Sequence, residues 1–231
     1  MNGSLLLDPV RLDRPDTEVW SAPFPFMIAH GQLPDEARGE LEQDFPRYAG
    51  AGFFPYEPKD CGPSIRELVE RLQQPAFADA VGHRLGVERL SQYPTLVTLC
   101  RTMNRRHGTI HTDSRSKIVT ALLYLNPQWP DTSDGCLRFL ERIDDIDAVI
   151  APELKPLYGE FAAFMRRDNS FHGHLPHAGE RRVIQIAWLT SEEEKLRKTK
   201  RGKFSRLFKK LAGKLDSRLG AGRDRNASHP D

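Results

Sequence analysis

The chain has 231 residues, of which 39% are hydrophobic and 29% charged. This length allows one large domain, or one domain with appended segments. No apolar run reaches the roughly 18 residues that a membrane-spanning helix needs, and the N-terminus carries no secretory signal pattern. We therefore expect a cytoplasmic protein, with peripheral attachment at the inner face of the membrane as the one membrane-bound option.

The cysteines agree with a reducing compartment. Cys61, Cys100 and Cys136 are odd in number and scattered, and no CxxC pair occurs. Such spacing does not form a disulfide framework. We expect all three to be small buried residues, which is the commonest role of an unpaired cysteine.

The net charge of +2 conceals a strong asymmetry. Between Lys195 and Arg225, thirteen Lys and Arg stand against two Asp, a local charge of +11, so the rest of the chain carries about −9. An acidic body with a basic tail is thus predicted, and this separation says more about partners than the total charge does.

The first 92 residues are predicted to form an N-terminal arm and supporting helices. Residues 24–29 form an early strand or an extended arm over the core. One helix runs from Pro34 to about residue 48, and a second covers 65–74, with Ser64 as N-cap and Glu67 completing a capping box. A third covers 76–85 and is closed by Gly86. These helices carry no obvious chemistry and are expected to pack on a sheet.

From Pro94 the pattern changes to short strands separated by Gly, Pro and Asp turns. The predicted strands cover residues 95–103, 118–126, 136–140, 146–150, 161–165 and 183–189. Many short strands behind a helical opening indicate an α+β, mainly β fold, a double-stranded β-helix (jelly roll) with flanking N-terminal helices. Residues 93–190 form the catalytic core in this interpretation.

Residues 191–231 are predicted to be a basic amphipathic helix with a disordered end from about residue 220. Ser191 can cap the helix, with Glu194 three residues on. The following apolar residues recur every three or four positions, at Phe204, Leu207, Phe208, Leu211, Leu215 and Leu219. Such a helix, over residues 195–219, suits an anionic membrane surface. Docking on the chain's own acidic body is the alternative, and nucleic acid is disfavoured because no base-stacking aromatics are interleaved.

His111 and Asp113 form the first half of a candidate metal site. On an extended strand, residues i and i+2 project from the same face, so both side chains can reach one ion. Two histidines and one carboxylate, with three positions left open, are typical of non-haem Fe(II) oxygenases. An H-x-D triplet alone is weak, and the second histidine has to come from elsewhere in the chain.

The second half lies about sixty residues later, in Phe171-His172-Gly173-His174. His172 and His174 project from the same face of an extended strand, so both remain candidates. An arginine pair, Arg181-Arg182, opens the buried strand that follows. A buried guanidinium is costly without an anion and can grip a carboxylate with two hydrogen bonds, which indicates a carboxylate co-substrate.

In this order the motifs resemble the 2-oxoglutarate and Fe(II)-dependent oxygenases, in particular their prolyl-4-hydroxylase-like branch. The resemblance covers about residues 93–190. The segments that carry it are His111-x-Asp113, Ala121-Leu122-Leu123-Tyr124-Leu125-Asn126, Asp134-Gly135-Cys136-Leu137-Arg138, and Phe171-His172-Gly173 with Arg182. One departure is Asp134, where the family often has the first of two glycines.

The resemblance implies an oxygenase that hydroxylates its substrate and releases succinate and CO2. His111, Asp113 and His172 would be the iron ligands, while Arg182 and Tyr124 would hold the distal carboxylate of 2-oxoglutarate. Arg182 is preferred over Arg181 for its spacing to His172 and to Trp188. The implied cofactors are Fe(II), 2-oxoglutarate and O2, with ascorbate as an optional reductant.

The identity of the prime substrate is left open between a peptidyl residue, a small molecule and a glycan or lipid. Two other functions compete with the oxygenase. One is a cupin-like metalloenzyme that does not use 2-oxoglutarate. The other is a catalytically inactive binding module recruited to membranes.

Overall fold

A computed structural model describes residues 6–48 and 50–202. Its main element is a seven-stranded sheet in which every neighbouring pair is antiparallel. In chain order the strands are β1 (Glu18–Trp20), β2 (Phe26–Ala29), β3 (Phe53–Pro55), β4 (Thr95–Met103), β5 (Lys117–Tyr124), β7 (Phe161–Met165) and β9 (Gly179–Leu189). In the sheet their order is β1-β2-β7-β5-β9-β4-β3.

A second, small sheet faces the first. It pairs β6 (Arg138–Phe139) with β8 (His172–Gly173), so that Phe139 lies opposite His172. An apolar interior that includes Phe26, Leu122, Phe139 and Phe164 fills the space between the sheets. This mainly β, two-sheet arrangement with few helices is the predicted jelly roll.

Alternation along the central strands sends residues to two different cores. On β5, Val119, Ala121 and Leu123 belong to the outer core beneath the helices, whereas Leu122 and Tyr124 face the interior between the sheets. Because the side-chain period of a strand is two, the parity of a residue's number decides which core it enters. The same rule sends the adjacent residues Arg181 and Arg182 of β9 to opposite faces of the sheet.

Three helices cover the outer face of the large sheet: α1 (Arg38–Asp44), α2 (Pro63–Leu72) and α3 (Pro75–Leu85). Phe77 of α3 meets Phe161 of β7 edge to face, with ring centroids 5.8 Å apart. Gly86 ends α3 in the left-handed conformation, with φ of 73°, as its position in the sequence predicted. The predicted first helix is shorter than expected and ends at Asp44.

The N-cap of α2 differs from the prediction. Ser64 lies inside the helix, whose N-cap is Gly62, and no side-chain cap from Gly62 is present. Asp44, at the end of α1, accepts hydrogen bonds from the Ser64 amide at 2.7 Å and from the Ser64 hydroxyl at 2.8 Å. A carboxylate from another helix therefore satisfies the free amide at the start of α2 and complements its dipole.

We expect Asp44→Ala to lower the free energy of unfolding by about 1–2 kcal/mol, the usual cost of losing an N-terminal cap. Urea unfolding followed by circular dichroism measures this effect. Glu67→Ala is the matched control because a capping box would make it equally harmful. A larger loss for Glu67→Ala than for Asp44→Ala would contradict the assignment.

The first 92 residues contribute strands as well as helices. β2 pairs with β7, and β3 pairs with β4, so the predicted arm at residues 24–29 belongs to the sheet. The strands predicted at 95–103 and 161–165 are confirmed residue for residue. All three cysteines are buried and outside any disulfide, as expected.

The prediction of a strand at residues 146–150 is wrong, because this segment forms only one isolated β-bridge, between Leu140 and Val149. Arg138 donates from Nη1 to the Ile146 carbonyl at 3.1 Å and to Asp147 at 2.6 Å. The Arg138 side chain therefore bonds to a carbonyl of this segment, which folds as a loop and not as a strand.

The C-terminal helix begins as predicted. Residues 192–202 are helical, and the Ser191 hydroxyl accepts a hydrogen bond from the Glu194 amide at 3.3 Å. Half-buried positions 194, 195, 198, 199 and 202 share one face, which packs on the body. The predicted apolar stripe from Phe204 to Leu219 lies outside the described residues, so membrane binding stays a prediction. Within the described ranges, no helix has the length and apolarity needed to cross a membrane.

Candidate metal centre

A two-residue backbone pairing brings the two sequence-distant histidines together. The His111 amide donates to the His172 carbonyl, and the His172 amide donates to the His111 carbonyl, both at 3.1 Å. This reciprocal antiparallel bridge sets the residues directly opposite each other. Their imidazole rings are consequently neighbours, with centroids 4.4 Å apart.

Asp113 completes a group of three potential ligands. One ligand atom from each of His111, Asp113 and His172 can be chosen so that all three lie within 4.8 Å of one another. No other group of this kind is found in residues 6–48 and 50–202. His174, the rival candidate from the sequence, does not belong to it.

Both histidines have the tautomer that a metal requires. The Nδ1 atom of His111 lies 2.9 Å from the Thr109 carbonyl, and the Nδ1 atom of His172 lies 2.9 Å from the Ser170 carbonyl. A carbonyl only accepts, so each Nδ1 carries the proton and each Nε2 keeps a free lone pair. Such carbonyl bonds also fix the ring orientation of a metal-binding histidine.

His172 is held in the neutral form. Burial, with a further contribution from the nearby His111 ring, lowers the pKa of His172 to about 3, although Asp113 acts in the opposite direction. Phe164 packs on the ring with centroids 4.3 Å apart, which contributes to this burial. At neutral pH the imidazole is thus uncharged, with Nε2 free of a proton, as a ligand atom must be.

Asp113 is held as a carboxylate by two residues that the sequence did not single out. Lys117 donates to Oδ1 at 2.6 Å, and the Thr120 hydroxyl donates to Oδ2 at 2.5 Å. Burial alone would raise the pKa of Asp113, but Lys117, His172 and these hydrogen bonds together hold it well below its usual range. The three side chains therefore offer two imidazoles and one carboxylate, the donor set that suits non-haem iron(II).

The two candidate arginines lie on opposite faces of β9. Val183 of β9 faces the interior, whereas Trp188 and Ile184 face the outer core, so Arg182 shares the outer parity. Arg182 makes ion pairs with Glu42 and Glu180, each at 3.0 Å. The spacing to Trp188 that favoured Arg182 in the sequence in fact places it on the face away from the site.

Arg181 occupies the interior position instead. Only 2% of its surface is exposed, and among the described residues its hydrogen bonds go to two neutral oxygens. These are the Gly135 carbonyl at 2.8 Å and the Tyr124 hydroxyl at 3.2 Å. A buried guanidinium with neutral partners retains unused attraction for an anion.

Tyr124 lies in the same interior, as the sequence predicted. It is fully buried, and the Arg181 guanidinium sits 5.1 Å from the centre of its ring. Burial raises the pKa of the Tyr124 phenol, against the opposing effect of Arg181. The phenol therefore keeps its proton and can donate a hydrogen bond alongside the guanidinium.

His174 lies beside this arginine rather than among the metal ligands. Its ring is packed on Gly108, where an added Cβ would approach the ring to 2.2 Å. Burial and the charge of Arg181 lower the pKa of His174 to about 3, and its Nδ1 atom lies 2.7 Å from the Leu175 carbonyl. His174 is buried, but it lies two residues after His172, the residue that pairs with His111.

A His-Asp-His group in a jelly roll, with a buried arginine and tyrosine in the same interior, has the ligand types of a non-haem iron oxygenase site. Residues 97–190 match the family described as the 2OG-Fe(II) oxygenase superfamily. This match covers less than half of the chain, but it includes His111, Asp113 and His172, so the part that carries the site is similar to 2-oxoglutarate-dependent oxygenases. Fe(II), 2-oxoglutarate and O2 are the cofactors of this class.

The chain is similar to two solved structures, and the first of them, with a TM-score above 0.5, supports the jelly-roll fold. A prolyl-4-hydroxylase from Pseudomonas putida is 17% identical with a TM-score of 0.52, and the match covers 73% of this chain and 94% of that one. A prolyl hydroxylase from Trichoplax adhaerens, solved with a peptide fragment of hypoxia-inducible factor, is 17% identical with a TM-score of 0.48, covering 74% and 86%. No curated protein matches the chain significantly.

Proposed function

We propose that the chain hydroxylates a C–H bond of its substrate with iron(II) held by His111, Asp113 and His172. The observation that carries the proposal is the meeting of three potential ligand atoms within 4.8 Å, with both imidazoles protonated at Nδ1. When bound, iron, 2-oxoglutarate and O2 supply the oxidation, in which 2-oxoglutarate is converted to succinate and CO2.

The protein's own residues orient the reactants. Lys117 and Thr120 hold Asp113 in a fixed rotamer, and Ser170 and Thr109 fix the planes of the two imidazoles through their carbonyls. Side chains fixed in this way would hold a bound metal in one place, so that co-substrate and substrate would meet there. The organic chemistry belongs to the cofactors, and the protein contributes binding and orientation.

Arg181 and Tyr124 are proposed to hold the distal carboxylate of 2-oxoglutarate. A carboxylate would supply the negative charge that the buried guanidinium lacks among its described partners. The protonated Tyr124 hydroxyl can donate a second hydrogen bond to the same group. Arg182, whose charge is already matched by Glu42 and Glu180, has no such need.

The apolar interior excludes water from this end of the barrel. Phe139 and Phe164 pack against each other with centroids 5.7 Å apart, and Phe164 also contacts His172. A dry site strengthens the electrostatic contacts made there and protects reactive species from side reactions. The substrate is proposed to be peptidyl or a small molecule, and the fold shared with the Pseudomonas putida prolyl-4-hydroxylase makes a peptidyl prolyl residue one candidate.

Anaerobic titration of the full chain with Fe(II) and then 2-oxoglutarate tests the proposed function. We expect a visible metal-to-ligand charge-transfer band that appears only when both are present, saturating at one equivalent of iron. Replacing 2-oxoglutarate with succinate is the control, since succinate lacks the keto group that chelates the metal. Iron binding without any band on adding 2-oxoglutarate would indicate a metalloenzyme of another kind, and no iron binding would indicate an inactive module.

A further inference from the structure

The C-terminal helix places a lysine beside the loop that carries Asp113. Lys198 donates from Nζ to the Ser114 hydroxyl at 2.8 Å, and Ser114 is the neighbour of Asp113 in the chain. The Ser114 and Ser116 hydroxyls are themselves 3.2 Å apart. The Lys198 ammonium group and the Ser114 hydroxyl thus meet at the rim of the metal centre, and the Ser116 hydroxyl beside them is hydrogen-bonded to Glu194.

Lys198 has no carboxylate of its own among its described contacts. The nearby carboxylates are engaged elsewhere: Asp113 accepts from Lys117 and Thr120, and Glu194 pairs with Arg197 at 2.8 Å. Burial lowers the pKa of Lys198, and the charges of Lys117 and Arg197 add to this effect, while the charges of Asp113 and Glu194 act in the opposite direction. A half-buried ammonium group with two other cations nearby and no carboxylate in direct contact is a position where an anion would be stabilised.

Further positive charge borders the same loop. Arg166 donates to the Asp113 carbonyl at 3.3 Å, and its one carboxylate partner, Asp168, is largely exposed. Arg115 is exposed between the two serines. Iron(II) bound to Asp113 would add two positive charges. It would also share the Asp113 carboxylate, which balances the charge of Lys117 in the metal-free structure. The loaded site would therefore favour an anion at this rim more strongly than the metal-free one.

We propose that Lys198, with the Ser114 hydroxyl, binds an oxyanion group, phosphate or carboxylate, of the substrate that is oxidised. That the anion belongs to the substrate rests on the proposed function, whereas anion binding itself can be tested without iron. Hydroxyl and ammonium donors in convergence suit an oxyanion, and hydrogen bonds between charged partners are the stronger kind. The acceptor would lie next to the metal, so the oxidised carbon would be close to the charged group.

The test is an amide NMR titration of the metal-free full chain with inorganic phosphate, at ionic strength matched with sodium chloride. We expect saturable shifts at residues 114–117 and 195–199. Lys198→Met should weaken this binding by roughly fivefold to tenfold, as expected for a charged hydrogen bond at a half-buried site. Ser114→Ala keeps Lys117 and Lys198 and should weaken phosphate binding as well. This variant provides the test if Lys198→Met does not fold.

Two matched variants separate this site from other anion sites. Lys195→Met removes the same charge from the same helix, and Arg181→Met removes the proposed 2-oxoglutarate anchor; both should keep phosphate binding at residues 114–117. Unchanged binding in Lys198→Met and Ser114→Ala would overturn the proposal, as would loss of binding in Arg181→Met alone. An iron and 2-oxoglutarate band with no phosphate binding would reject the anion site and leave the oxygenase function standing.

Anionic vesicles distinguish a lipid headgroup from a soluble phosphate. The probes are vesicles of phosphatidylglycerol, compared with vesicles of phosphatidylcholine. Weaker binding of Lys198→Met to the anionic vesicles assigns a headgroup to the site. A loss confined to inorganic phosphate assigns a soluble substrate.

Discussion

Asp113→Ala is expected to abolish 2-oxoglutarate turnover. Losing a residue that merely supports a metal ligand costs roughly 10- to 100-fold in metal affinity or activity, and removing a ligand is expected to cost more. The measurement is succinate formation from 2-oxoglutarate, together with the iron content after anaerobic loading. His111→Ala should have the same effect and leaves the Lys117–Asp113 ion pair in place, so it separates ligand loss from the stranding of a buried lysine.

His174→Ala is the matched control for the ligand variants. Its ring is buried and close to His172 in the chain, but it lies outside the three-residue group. We expect this variant to bind one iron per chain and to retain much of the succinate formation. An iron content as low as that of Asp113→Ala would mean that the distal ligand is His174.

The second large effect is expected at Arg181. Arg181→Met should weaken 2-oxoglutarate binding by about 10- to 150-fold, because hydrogen bonds to charged groups contribute roughly 1.5–3 kcal/mol each and about 1.4 kcal/mol is a factor of ten. The Kd can be read from the anaerobic charge-transfer titration with iron held constant. Iron binding should persist, since Arg181 is not one of the three ligands.

Arg182→Met makes this comparison decisive. Arg182 is equally buried and adjacent in sequence, but it holds Glu42 and Glu180 on the outer face. Its loss is expected to reduce the free energy of unfolding by about 1 kcal/mol or less, because the Glu42 and Glu180 side chains that lose their partner are each 44% exposed and can be solvated. The Kd for 2-oxoglutarate should stay within about twofold of the parent value, by the same reasoning that places it outside the site. A reversal of the two effects would restore Arg182 as the anchor.

The sequence predicted the three candidate ligands because their signals are local. His111 and Asp113 need only the i, i+2 geometry of an extended chain, and the second histidine stood in a recognisable Phe-His-Gly segment. The jelly roll followed from short strands with turn residues between them, and two of those strands are confirmed to the residue.

Strand parity and motif spacing select different arginines as the proposed anchor. Counting from Trp188 selected Arg182, but Trp188 belongs to the outer core beneath the helices. Counting parity from Val183, an interior residue, selects Arg181. Which apolar residues of a doubly buried strand face which core is a tertiary fact, and an unbroken apolar run does not reveal it.

The residues that support the site could not be predicted from the sequence, because their contacts also depend on tertiary structure. Lys117 and Thr120 reach Asp113 only because residues 114–116 fold back, and neither belongs to a spacing pattern. Asp44 replaced Ser64 as the partner of the α2 amide because α1 ends beside α2. Contacts of this kind depend on how elements meet, whereas helix and strand patterns depend on neighbours in the chain.

The most direct test is a crystal structure of the full chain grown anaerobically with Fe(II), with anomalous diffraction measured at the iron edge. One anomalous peak is predicted within bonding distance of the Nε2 atoms of His111 and His172 and of one oxygen of Asp113. A peak coordinated by His174 in place of His172, or no ordered iron between these three side chains, would contradict the proposed metal centre.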